Sequence, residues 1–189
     1  MSVTAPEATT QSPSGAAANL PVVVIGAGPV GLAAAAHLVA RGLRALVLEA
    51  GDNVGAAMSQ WGHIRTFTPW QYLVDETAEK VLASTGWTRP TDHQSPTGAQ
   101  IVDRYLLPLA GALGTDVVRT GARVLAVSRD GLDRSRTVGR ADRPFLVRVQ
   151  HDDGTVQDVR ASAVIDASGT WQQQNPLGSS GLPALGEEQ

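Results

Sequence analysis

Three glycines, at positions 26, 28 and 31 in the segment PVVVIGAGPVGLAAAAHLVARGLRALVLEAG from Pro21 to Gly51, constrain this chain more than any other feature. The apolar run Val22, Val23, Val24, Ile25 stops at the first glycine. An Ala/Leu-rich stretch follows the third, and a second apolar run from Ala45 to Leu48 closes on Glu49 and Ala50. This order predicts strand, glycine turn, helix, strand. In such a βαβ unit each glycine lacks a Cβ for its own reason: a tight turn, close approach of backbone to a pyrophosphate, and close packing of helix on strand. The helix that starts at Pro29 and Val30 aims its unpaired N–H groups and positive dipole end at the phosphates. Glu49, roughly 20 residues on, stands where a carboxylate accepts hydrogen bonds from an adenosine ribose. The competing reading is an ordinary βα turn of some other α/β protein. Strand, helix, second strand and acid all falling in register weigh against it.

Composition narrows the classes. The 189 residues suffice for one domain with a substantial core, and 42% hydrophobic with 17% charged residues reads as globular. A net charge of -3 gives no reason to expect nucleic acid or an anionic membrane as partner. The chain has no cysteine. Disulfides, thiolate metal sites, a CxxC redox pair and a cysteine nucleophile are thereby excluded, and redox work needs a bound cofactor. Residues 1–19, rich in Ala, Ser, Thr and Pro, lack the basic start and apolar stretch of a signal peptide and read as a flexible tail. The apolar segment from Leu20 to Ala40 is broken by Gly26, Gly28, Pro29 and Gly31, so it is not read as membrane-spanning. A soluble, cytoplasmic protein is the expectation.

From Gly51 to Trp70 periodicity is lost and Met58, Trp61, His63, Arg65, Phe67 and Trp70 gather. Two readings stand: a wall beside a bound cofactor, with Arg65 facing phosphate or an anionic substrate, and a loop anchored by aromatics packed on the domain. His63 reads as a polar loop residue and His37 as a partly exposed helical one; neither has metal-ligand spacing. Asp75, Glu76 and Glu79 open a helix with apolar positions Val74, Ala78, Val81 and Leu82, where acids favour the N-terminus. Thr97 and Gln100 form a T-x-x-Q capping box before a helix carrying Ile101, Val102, Tyr105, Leu106 and Leu109, with Pro108 expected to kink or end it. Short β runs follow at Val117 to Arg119, Val124 to Ser128, Phe145 to Val149 and Val156 to Val159. Asp152, Asp153 and Gly154 make a hairpin turn between the last two. A final strand, Ala163 to Asp166, runs straight into Ala167, Ser168 and Gly169, small residues that let a ligand approach the carboxyl edge of a sheet.

GAGPVGLAAAAHLVARGLRALVLEAG, a β-rich insertion in place of a crossover helix, and VIDASGTW together resemble the FAD-binding half of the flavoproteins with two dinucleotide-binding domains, which include flavin-containing monooxygenases and the pyridine nucleotide-disulfide reductases. WGHIRTFTPW and NPLGSSGLPALGE resemble the monooxygenase-like branch, and the missing CxxC favours the same branch. The resemblance covers roughly residues 20–186. It implies an α/β, Rossmann-like FAD-binding domain with a parallel sheet and a β-meander crossover. It also implies that Gly26, Gly28, Pro29, Val30 and Gly31 contact the FAD pyrophosphate, that Glu49 contacts the ribose, and that the backbone at Val124 meets the adenine. Ala167, Ser168 and Gly169 match the segment close to the dinucleotide; Ala50, Trp61 and Arg65 complete the implied set. Family chains continue into a second GxGxxG for NADPH or NADH. None is found among these 189 residues, so the expectation is a truncated product or fragment, or a chain working with a partner that supplies the rest.

Three functions follow. The first is an FAD-dependent, NAD(P)H-linked, monooxygenase-like oxidoreductase of a small-molecule substrate, represented by its N-terminal FAD domain. The second is a non-catalytic FAD- or adenine-nucleotide-binding module, and the third a simple NAD-dependent dehydrogenase, which the β-meander disfavours.

Overall fold

Four strands form a parallel sheet in the order β3–β2–β1–β7: β1 (Val22–Ile25), β2 (Ala45–Leu48), β3 (Val118–Arg119) and β7 (Ala163–Asp166). Val22 pairs with Ala45 on one side and Ala163 on the other, so the glycine turn after β1 and the end of β7 come out at the same edge. This computed structural model describes residues 19–171, 175–178 and 180–187, and the expected tail lies, up to residue 18, outside them.

Because strand side chains alternate between faces, the two faces of the sheet bury different partners. Val24, Ala45 and Val47 pack toward the helices with Leu32, Ala35 and Ala36 of α1 (Pro29–Ala40), Ala78 and Leu82 of α3 (Glu76–Ala83), and Trp70. Val23, Leu46 and Leu48 pack the other way, onto Ala122, Val147, Val149 and Ala161 of an antiparallel meander. That meander is β4 (Ala122–Arg129), β5 (Phe145–His151) and β6 (Val156–Ala161). The layers are therefore helices, parallel sheet and meander, the Rossmann-like arrangement expected. Burying each Leu or Val of these clusters stabilises the fold by roughly 1.5–3 kcal/mol.

The β5–β6 turn is the Asp-Asp-Gly hairpin: Gly154 takes φ 81 and Thr155 N–H donates to Asp153 Oδ1 at 2.8 Å. On the outer face of the meander, Arg148 holds its cross-strand partner Asp158 through two 2.8 Å hydrogen bonds. In β4 the register shifts between Val124 and Ala126.

Two helical details depart from the sequence pattern. Residues 51–70 carry a short helix, α2 (Ala56–Gln60), which has no apolar period to announce it; Gly55, in the left-handed region at φ 69, starts it. The helix opened by the Thr97/Gln100 capping box begins as α4 (Gly98–Ile101), widens to a π-helical segment (Val102–Leu106) and continues as α5 (Leu107–Leu113). Pro108 thus neither ends it nor stands alone as a break. Its missing N–H takes a donor from the turn that includes the Arg104 carbonyl, and the Trp87 indole N–H donates to that oxygen at 2.6 Å. Tyr105, fully buried beside Trp87, accepts the Asp75 N–H at 3.2 Å, and burial pushes its phenol above the ordinary range.

A candidate dinucleotide cradle

The three glycines are not equivalent. At Gly26, φ is 95, and a Cβ there would stand 2.7 Å from the Ala167 carbonyl oxygen and 3.0 Å from Ser168 Cα. A Cβ on Gly31 would overlap the Gly26 carbonyl. Both glycines are demanded by the fold itself. Gly28 is different: its backbone is extended (φ -79, ψ -175), open to any residue, and a Cβ on it meets nothing within 4 Å. Among the described residues nothing requires glycine at this position.

Gly28 is also the residue before α1, and it offers no side chain to cap the helix. Pro29 occupies the first turn, which lacks acidic residues. Proline at the start of a helix presets the backbone without wasting a donor, and the exposed Val30 stands at the rim. The result is a helix end with a positive dipole, no neutralising carboxylate in its first turn, and open space over its N-cap.

Glu49 closes one side. Its Oε2 accepts the Ala27 N–H at 2.7 Å and its Oε1 accepts the Gly51 N–H at 2.9 Å. Each carboxylate oxygen has two acceptor sites, so capacity is left on both for hydroxyl donors. The Glu49 carbonyl accepts Ala122 N–H at 2.8 Å, which brings the start of β4, and with it Val124 two residues on, to the same edge. Ala50 is half-buried beside Glu49. The Gly55 N–H donates to the Ala27 carbonyl at 3.0 Å and ties the following loop to the turn.

The β7 end closes the other side. Ala167 N–H continues the ladder to the Ile25 carbonyl at 2.9 Å, and Asp166 Oδ1 accepts the Ser168 hydroxyl at 2.7 Å and N–H at 3.1 Å. Those two Ser168 donors hold the Asp166 carboxyl below its ordinary pKa. Gly169, at φ 71, turns the chain away.

The structure therefore brings together Gly26, Gly28, Pro29, Val30, Gly31, Glu49, Ala50, Ala167, Ser168 and Gly169, with Val124 close by on β4. Trp61 and Arg65 have other attachments. Trp61 lies so close on Gly98 that a Cβ there would come within 2.8 Å of its ring, and the Arg65 guanidinium donates to the Ser95 carbonyl. Trp70 is an anchor at 2% exposure, in keeping with the reading of a loop held by packed aromatics, whereas Phe67 is 97% exposed and is not one of the anchors. Ala27 and Gly51, which shape the cradle through backbone donors to Glu49, carry no side-chain signature by which the sequence could have marked them.

The profile of the pyridine nucleotide-disulphide oxidoreductase family matches residues 23–185. The chain belongs to this family. Among solved structures, this family member is similar to the bacillithiol disulfide reductase of Bacillus cereus, with a TM-score of 0.63 and 25% identity over 85% of this chain and 42% of that one. It is similar to an oxidized steroid monooxygenase bound to NADP, with a TM-score of 0.57 and 25% identity over 79% of this chain and 26% of that one. The fold is also that of OTEMO in complex with FAD and NADP, at a TM-score of 0.55 and 22% identity over 84% of this chain and 26% of that one. The chain thus spans less than half the length of these relatives. No curated protein sequence matches it. Among the described residues, no helix is long and apolar enough to cross a membrane.

Proposed function

We propose that this chain is the FAD-binding part of a flavin-dependent, monooxygenase-like oxidoreductase, linked to NAD(P)H through the length that its relatives have beyond it. The observation that carries the reading is Gly28: a glycine with an unstrained backbone and empty space where its side chain would be. Dinucleotide binding supplies the reason the fold does not, because a Cβ there would occupy space needed by a pyrophosphate at the helix end. Gly26, Pro29, Val30 and Gly31 shape that end, Glu49 accepts from the adenosine ribose, and backbone near Val124 meets the adenine. Ala167, Ser168 and Gly169 border the dinucleotide. FAD, when bound, supplies hydride and oxygen chemistry; the protein's part is to bind, orient and polarise.

A steroid monooxygenase and a disulfide reductase stand at the same 25% identity. The absence of cysteine from these residues favours the first kind of chemistry. The substrate is then a small molecule, the compartment the cytoplasm, and the nicotinamide site belongs to a further stretch of polypeptide or a partner chain. A second reading, a binding module without catalysis, draws on the cradle itself, since Glu49 and the helix end both address the ADP half of a dinucleotide.

Reconstitution with FAD tests the shared claim. The protein is expected to retain yellow flavin absorption through gel filtration, and protein that emerges colourless would contradict both readings. Adding NADPH under nitrogen, with a polypeptide that supplies a nicotinamide site present, separates them: bleaching supports the oxidoreductase, and an unchanged spectrum supports the module.

A further inference from the structure

Away from the cradle, a cavity of about 340 Å³ opens between the loop at Arg65 and Trp70, the turn at Gln94 and Ser95, and the helix carrying Gln100 and Arg104. Its size falls at the lower end of small-molecule pockets, about 300–1,000 Å³, and is larger than a bare inorganic ion needs. Two arginines line it and no carboxylate does. Among the described residues neither Arg65 nor Arg104 forms an ion pair. The adjoining cavity of about 440 Å³ makes the contrast: its Arg89 is held by Glu79 at 2.7 Å and Asp92 at 3.0 Å. Arg104 lines both spaces.

The frame around these two guanidinium groups, neither in an ion pair among the described residues, is built in. Arg65 pairs with Thr97 in a short antiparallel bridge, and its side chain is pinned by the Ser95 carbonyl. Gln100 spends its Oε1 on the Thr97 N–H at 2.9 Å, which leaves its amide N–H groups as the free end. Trp70, buried at the base of the cavity, joins the two loops through its backbone N–H, which donates to the Gln94 carbonyl at 3.0 Å. Arg104 projects from the π-helical segment, a rare local form that is frequent at functional sites.

We propose that this cavity is a binding site for a small organic carboxylate, gripped by Arg65 and Arg104, with Gln100 as an additional donor. Guanidinium forks match carboxylates in planarity and spacing, and the volume accommodates an organic body beside the charge. Its lining shares no residue with the dinucleotide cradle described above, and its occupancy does not depend on the flavin reading.

Calorimetric titration of the FAD-free chain with benzoate, its neutral isostere benzamide and inorganic phosphate tests this. Benzoate is expected to bind, with benzamide and phosphate each at least tenfold weaker. Arg104→Gln and Arg65→Gln are each expected to weaken benzoate at least tenfold, with Arg104→Lys intermediate and the far-UV circular dichroism unchanged. Benzamide or phosphate binding as well as benzoate, no benzoate binding at all, or full affinity in both folded glutamine variants would overturn the proposal. A parallel FAD titration of the same variants, expected to match the parent, keeps failure of this site distinguishable from failure of the cradle.

Discussion

Glu49 Oε2 accepts the Ala27 N–H at 2.7 Å, so the carboxylate at the tip of β2 is tied to the turn after β1 across 22 residues. That bond, with the Gly51 N–H on the other oxygen at 2.9 Å, makes Glu49 part of the cradle's own wall before any ligand is considered. Glu49→Ala should leave two backbone donors without partners and cost about 1–3 kcal/mol of stability, read from urea unfolding. Glu49→Gln retains one acceptor and should fall between. A Glu49→Ala protein as stable as its parent would show that these bonds contribute nothing.

The glycine turn predicts opposite outcomes at neighbouring positions. Gly31→Ala and Gly26→Ala should lower stability strongly, by at least about 1–3 kcal/mol, since one side chain meets the Gly26 carbonyl and the other combines positive φ with a clash on Ala167. Gly28→Ala should stay within about 0.5 kcal/mol of the parent or gain slightly, because its backbone is already one that alanine adopts. Thermal unfolding of the three variants side by side checks the ordering.

Asp75 caps α3, its Oδ1 accepting the N–H groups of Thr77 and Ala78 at 2.9 Å and its Oδ2 facing His37 Nε2 at 3.1 Å. Partial burial works to raise its pKa; the Ala78 N–H, His37 and the Thr77 N–H outweigh that, and the net shift is below the ordinary 3.8. A depressed folded value means the stabilisation is fully present above pH 3.8 and is lost as pH falls through the folded pKa. Asp75→Ala should cost about 0.5–2 kcal/mol at neutral pH, and the gap to the parent should close in acid. A gap that keeps its neutral-pH size as the pH falls well below 3.8 would contradict the assignment.

Trp87 covers the carbonyl of Arg104 in the turn before Pro108. Trp87→Phe should cost about 0.5–1.5 kcal/mol beyond the loss of ring packing, and less when combined with Pro108→Ala, which restores a backbone donor to that turn. Additive effects in the double-mutant cycle would separate the two residues.

What could be read ahead of the structure followed from strong local physics. β1, β2 and β7 stand at the expected limits because each is a short apolar run cut off by glycine, acid or small residues, and the Thr97/Gln100 box and the Asp75 helix start carry their own capping chemistry. The meander strands differ only at their ends, where pairing extends beyond the apolar residues, as β5 does through Gln150 and His151. Residues 51–70 were illegible for the converse reason. α2 is set by backbone bonds such as Gly55 N–H to Ala27, and Phe67 faces outward with no pattern to say so. The arginine-lined cavity depends on Arg65 meeting Thr97, a pairing that no local signal encodes. The sequence also could not sort Gly26 and Gly31, which the fold needs, from Gly28, which it does not.

That last distinction is where the functional account is most exposed. FAD titration of the parent and Gly28→Ala proteins, followed by flavin absorption and protein-bound flavin after gel filtration, tests it directly. The account predicts stoichiometric FAD on the parent and binding at least tenfold weaker in Gly28→Ala, at unchanged thermal stability. A Gly28→Ala protein that holds FAD as tightly as the parent, or a folded parent that holds none, would contradict it.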